Sequence, residues 1–208
     1  MMILPEDKQW QDNFEFLASM RWLHVAYFPV DEKIKPIEVN GEIYQAKYLF
    51  KETGESTVYL TEDQKNVVKE YRGARISLAH YRIAATSFYQ EKGIPVVPIS
   101  NFSFDPANIR AFIVKPYVKG MTTDYLVTEE VVRELGQEMV DRMMDAENKL
   151  ASNVFAWHEG GGFSYWLEEN GIDEQDFGEY QCFVRVSDIW RDGKTIFTLE
   201  EGWRVLDP

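Results

Sequence analysis

The chain has 208 residues, 45% of them hydrophobic and 14% aromatic, enough to bury the core of one domain or of two small lobes. Thirty-five acids against 22 bases leave a net charge of −13, which argues against a general binder of nucleic acid or anionic membrane. One cysteine rules out an internal disulfide framework, three scattered histidines supply no zinc set, and MMILPEDKQW turns polar too early for a leader, so a cytoplasmic protein is expected.

The charge is unevenly spread. Residues 64–119 carry a net +6 between acidic flanks, −6 over 1–63 and −13 over 120–208. Such a pattern fits charge balance across a lobe interface, or a basic surface that faces phosphate or a partner.

In chain order, a short helix is expected near 9–21 and a strand near 22–29. Over 37–60 the signal is β. IEVNGEIYQAKYLF alternates, Asn40-Gly41 is a tight-turn dipeptide, KETGE supplies a second turn and STVYL returns, which predicts three antiparallel strands. Thr61 followed by Gln64 has the form of a capping box. Val67, Tyr71, Ala74, Leu78, Tyr81, Ala85 and Phe88 then recur at steps of four and three, which predicts one long helix over 61–92, with Gly73 as a point where it could split. Gly93 and Pro95 supply the stop.

Strands are expected at 94–99 and 111–118, joined by the polar loop NFSFDPANIR. Thr128, with Glu129 and Glu130 behind it, opens a second amphipathic helix through Val132, Leu135, Met139, Met143, Ala146 and Leu150 to about residue 157. HEGGGF breaks the chain, a short helix follows near 164–170, and strands are expected near 181–190, 194–199 and 203–206. This is an α+β order with two long amphipathic helices. It divides into a strand-rich lobe, 1–120, and a helix with acidic strands, 121–208, or forms one compact unit. His24, His80 and His158 are read as structural, and Cys182 as a buried thiol.

Three strands, a long helix and two strands ending in glycine resemble the amino-terminal lobe of the protein-kinase-like fold, nearest its aminoglycoside-phosphotransferase-like branch. EKGIPVVPISNF with AFIVKPYVKGMT resembles the helix end, the fourth and fifth strands and the hinge, and EGWRVLDP resembles the strand that ends in a magnesium-binding aspartate. DFGEYQCFVRV can be laid on the catalytic loop. The resemblance implies ATP and magnesium as ligands, Asp176 as catalytic base, and Gln181 and Asp207 as metal ligands. It also implies a cation on the phosphates, Lys47 or Lys51 paired with Glu70, with Lys115 close to the nucleotide.

NGEIYQ has a single glycine where a nucleotide-covering loop has two or three, and Gln181 is an amide of longer reach than asparagine. Against that fold, a reduced carboxy-terminal part is expected. The expectation is therefore a degenerate kinase-like protein that binds nucleotide or transfers phosphate weakly, and whether turnover survives is left open. The rival reading is a non-catalytic acidic protein, comparable to phage-type inhibitors or immunity proteins, that blocks a basic partner. FSYWLEENGIDEQDFGEY has the composition for it, with Tyr165, Trp166 and Tyr180 set among carboxylates.

Overall fold

Asn40 and Gly41 turn the chain back with φ of 48° and 83°, the left-handed pair that a two-residue hairpin needs. They set the register of the first hairpin, β2 (Lys35–Val39) on β3 (Glu42–Glu52), in which Val39 faces Glu42. The computed structural model describes residues 4–24, 28–29, 35–52, 55–181, 195–206 and 208, and for 21–24, 28–29, 50–52 and 179–181 it describes the backbone alone.

From β3 the chain meanders through β4 (Thr57–Thr61) and β5 (Asn66–Arg72), crosses the sheet as α2 (Ile76–Glu91), and returns as β6 (Asn101–Asp105) and β7 (Arg110–Pro116). With β1 (Phe28–Pro29) the antiparallel order is β1-β3-β4-β5-β7-β6, and β2 pairs with β3 as well. β7 is thus inserted between β5 and β6. A second sheet of three strands joins β8 (Met121–Thr122), which leads into the short helix α3 (Thr123–Leu126), to the hairpin β9 (Thr195–Thr198) and β10 (Gly202–Val205). The class is α+β, as the sequence predicts.

Two of the expected elements divide differently. The helix expected over 61–92 is a strand followed by a shorter helix. Thr61 ends β4, and its hydroxyl donates to Asp63 Oδ1 at 2.6 Å and accepts the Asn66 N–H at 3.0 Å, so the capping-box residues build a strand-to-strand turn. Val67 and Tyr71 lie four residues apart, a spacing that is one helical turn and also an even number of strand positions. NVVKEYR pairs on both sides, with β4 and β7, and Gly73 at φ +59° ends it before α2 begins. The helix expected from Thr128 to about 157 is broken at Gly136, φ +86°, into α4 (Glu129–Leu135) and α5 (Gln137–Glu159). Thr128 holds the N-cap position of α4 without a capping bond from its side chain.

The strand expected at 94–99 is an extended segment with one parallel bridge, Val96 to Val205. Pro95 and Pro98 remove the N–H donors a ladder would need. The strand lies instead at Asn101–Asp105, where Asp105 accepts the Asn108 N–H at 3.2 Å and shapes the β6–β7 turn. At the start of the chain, α1 spans Lys8–His24, longer than expected, which leaves Phe28–Pro29 as the strand. Of the strand expected near 181–190, Gln181 ends a 3-10 segment and residues 182–190 lie outside the described ones.

One face of the large sheet packs on α2. That core runs from Tyr71, Ala111 and Ile113 through Leu78, Tyr81, Ala85 and Phe88 to Met143, Phe163, Phe177, Phe197 and Trp203, and so draws on both halves of the chain. The other face holds a smaller cluster, Ile37, Val39, Ala46, Tyr59, Val68 and Val114. α5 is fastened to β10 by the Trp203 indole, whose N–H donates to the Met143 carbonyl at 2.7 Å. Among the described residues no helix is long and apolar enough to cross a membrane.

Candidate functional site

Along β5 the side chains alternate between the two faces of the sheet. Val68 belongs to the smaller cluster, and Glu70 meets Tyr59 of that same cluster. Tyr71 lies in the core under α2, and Lys69, two positions back, points the same way. Burial, and then the nearby charge of Arg82, push the Lys69 ammonium well below the ordinary lysine range, against the opposing pull of Glu55.

Arg82 lies on α2 among Leu78, Ala79, Ala85 and Thr86, and its side chain is 3% exposed. Its Nη2 donates to Glu55 Oε2 at 3.0 Å. Glu55 follows β3 on the connection to β4 and is 49% exposed. A helix cation therefore pairs with a carboxylate carried by a loop, and the charges of both act on Lys69 of the strand beneath.

The opposite face of β5 carries a second charge cluster. Glu70 is enclosed, and Arg72 grips it through Nε and Nη2, both at 3.0 Å. Lys35 at 3.7 Å, Arg110 at 3.5 Å and the Tyr59 hydroxyl at 3.3 Å complete its surroundings. Desolvation raises the Glu70 pKa, but the Arg72 bonds and the three cationic charges outweigh it and hold the carboxyl below its usual range.

The other residues singled out from the sequence are dispersed. Lys47 pairs with Glu62 at 3.3 Å, and that bond raises its pKa; it does not meet Glu70. Lys51 pairs through its backbone with Val58, and its side chain lies outside the described ones. Lys115 is buried at the end of β7 and donates to the Leu206 carbonyl at 2.8 Å, which ties the strand before the linker to the residue before Asp207. Asp176 is exposed on a 3-10 segment, Glu174–Gln181, that packs against α2 through Phe177 and Tyr81. Its charge opposes the desolvation that lowers the His80 pKa, and His80 itself stacks on Phe104 with centroids 4.0 Å apart. Gln181 is described by backbone alone, and Asp207 lies outside the described residues.

Among the described residues no group of three histidine, cysteine or acidic side chains is arranged to hold a metal ion. A cleft of about 830 Å³ between α5 and the β9–β10 hairpin, lined by Arg142, Lys149, Leu199 and Trp203, contains none of the residues above. Sequence reasoning missed Lys69, Arg82 and Glu55. The signal that could have found Lys69 is the alternation in NVVKEYR, which puts Val68 and Glu70 on one face and Lys69 and Tyr71 on the other.

No protein-family model matches the chain, and no curated protein matches it.

Proposed function

We propose that the chain is a degenerate kinase-like protein that binds a nucleoside triphosphate through its phosphates, with Lys69 as the cation that faces them. The observation that carries this reading is the position of Lys69 on β5, the third strand of the β3-β4-β5 meander, on the face covered by the helix that follows. Kinase-like sites place the phosphate-binding lysine on the third strand and pair it with an acid on the next helix. Two further strands, β6 and β7, and a linker ending at Gly120 keep the order that the resemblance implies.

Two features favour binding over turnover. The helix offers Arg82 where the acid belongs, and the carboxylate comes from Glu55 instead. Magnesium would depend on Asp207 with Gln181, since the described side chains supply no metal group, so no step is assigned to it.

Titration calorimetry with ATP, with and without Mg²⁺, tests the reading. Saturable binding is expected, and Lys69→Met is expected to weaken it about tenfold to a hundredfold, the loss of one charge-assisted hydrogen bond of ~1.5–3 kcal/mol. Absence of binding, or binding indifferent to Lys69→Met, overturns it.

One observation favours the second reading, an acidic protein that blocks a basic partner. Tyr165 is 70% exposed beside Glu168, Glu169 and Asp173. Trp166 does not contribute to that surface, because it is buried and its indole donates to Glu91. Association with a basic protein that falls steeply with salt and weakens in Tyr165→Ala supports this second reading.

A further inference from the structure

We propose that Lys69 and Arg82 form a two-cation receptor for a dianionic phosphate group, and that Glu55 is its internal placeholder, displaced when the phosphate binds. For the identity of the ligand this rests on the nucleotide reading above; the placeholder role itself concerns phosphate of any source.

The asymmetry of the three groups carries the inference. Lys69 is fixed on a strand paired on both sides, and Arg82 on a helix packed into the main core. Glu55 belongs to neither sheet nor helix, and half of its side chain is in water. Its release gives up the bond to Arg82 and leaves a carboxylate that water can solvate. Moving either cation would disturb a sheet or a core. The exchangeable member of the site is therefore the anion.

Charge points the same way. A guanidinium stays ionised, and at 3% exposure it needs an anion beside it. Burial, and then the charge of Arg82, hold the Lys69 ammonium well below the ordinary lysine range against the pull of Glu55, so a dianion brought to the same place would favour its charged form more than one carboxylate does. A phosphate dianion brings twice the charge and presents three oxygens. Arginine's planar fork matches that geometry, while lysine serves as a point charge.

The inference also explains a departure from the kinase-like pattern. An acid on the helix would hold the strand lysine permanently. Here the acid is on a loop, and the helix adds a second cation to the same site.

The test is calorimetry with inorganic phosphate and with ATP on the full chain, comparing wild type, Glu55→Gln and, as a control for a general loss of negative charge, Glu62→Gln. Glu55→Gln is expected to raise affinity for both ligands about tenfold, Glu62→Gln to leave it unchanged, and Lys69→Met in the Glu55→Gln background to abolish the gain. Wild-type ATP binding that Glu55→Gln leaves unchanged or weakens overturns the placeholder and leaves the nucleotide reading intact. Tighter phosphate binding in Glu55→Gln with no preference for ATP keeps the placeholder and overturns the nucleotide reading. No binding of either ligand to either protein overturns both. Thermal unfolding gives a second readout: phosphate is expected to raise the Tm of Glu55→Gln more than that of wild type, and an equal or smaller rise counts against the proposal.

Discussion

Replacement of Glu70 by glutamine is expected to destabilise the fold by about 3 kcal/mol, the lower end of the cost of breaking a buried ion pair. Arg72 and Arg110 are direct cross-strand partners on β5 and β7, a like-charge pair that is unfavourable unless an anion lies between them. Glu70 is that anion. Its carboxylate is enclosed and takes both Arg72 bonds, with Lys35 and Arg110 within 4 Å. The amide keeps the shape and removes the charge, leaving three cations converging on a neutral group. The figure stays at the low end because 39% of Lys35, 57% of Arg72 and 42% of Arg110 remain in water.

The same residue sets an acid dependence. Its folded pKa lies below the unfolded value of about 4.3, so the stability it contributes is complete above that value and is lost as pH falls through the folded one. Urea unfolding at pH 7 and near pH 3 is expected to show a smaller acid loss in Glu70→Gln than in wild type, the remainder coming from other carboxyls held below their usual range, such as Asp63 and Asp105. A loss at pH 7 below about 1 kcal/mol, or an unchanged acid limb, would contradict the role assigned to Glu70.

Gly120→Ala is expected to cost about 3 kcal/mol, the upper part of the usual range for overpacking. A methyl group there would collide with the Phe197 carbonyl oxygen and come within 2.9 Å of Ile196 Cγ1. The first obstacle is backbone, so no rotamer change relieves it, and β9 would have to move off β8. Gly93 supplies the contrast. Its φ is +69° and a methyl group there meets nothing within 4 Å, so Gly93→Ala is expected to cost only the backbone strain, about 1 kcal/mol. Denaturant titration of both variants measures the difference, and equal losses would refute the account of Gly120.

Much of the architecture can be read from residue patterns. Asn40-Gly41 specifies its hairpin because few other pairs tolerate two positive φ values. The apolar stripe from Leu78 to Phe88 is helical as its spacing requires, and Met143 and Leu150 of α5 are core. What stayed hidden has identifiable causes. Strand β5 shares its four-residue spacing with a helix, and a threonine placed to cap a helix ties a turn instead. Strand β6 alternates only through Phe102 and Phe104, inside a stretch whose Asn, Ser and Asp read as loop.

The strand nature of β5 bears on the functional reading as well. With 61–92 taken as a helix, Lys69 falls on a polar helical face and Arg82 has no strand opposite it. On that reading the resemblance assigns the phosphate cation to Lys47 or Lys51, both of which the fold places on β3. Glu55 was out of reach for another reason, since no local pattern says which loop residue will meet a helix 27 positions later.

The β10 strand is held by partners remote in the sequence: Val205 exchanges backbone bonds with Pro95 and Val97, both at 2.8 Å, and Arg204 reaches the Val96 carbonyl 108 positions away. Each of those contacts closes a long stretch of chain, and the entropy of that closure must be met before any contact is gained. The meander and α2 need no such closure, so the kinetic barrier is expected to lie in the docking of the terminal hairpin. In a variant that keeps Trp203 as its single tryptophan, the stopped-flow refolding signal from its emission should then trail the appearance of helical circular dichroism.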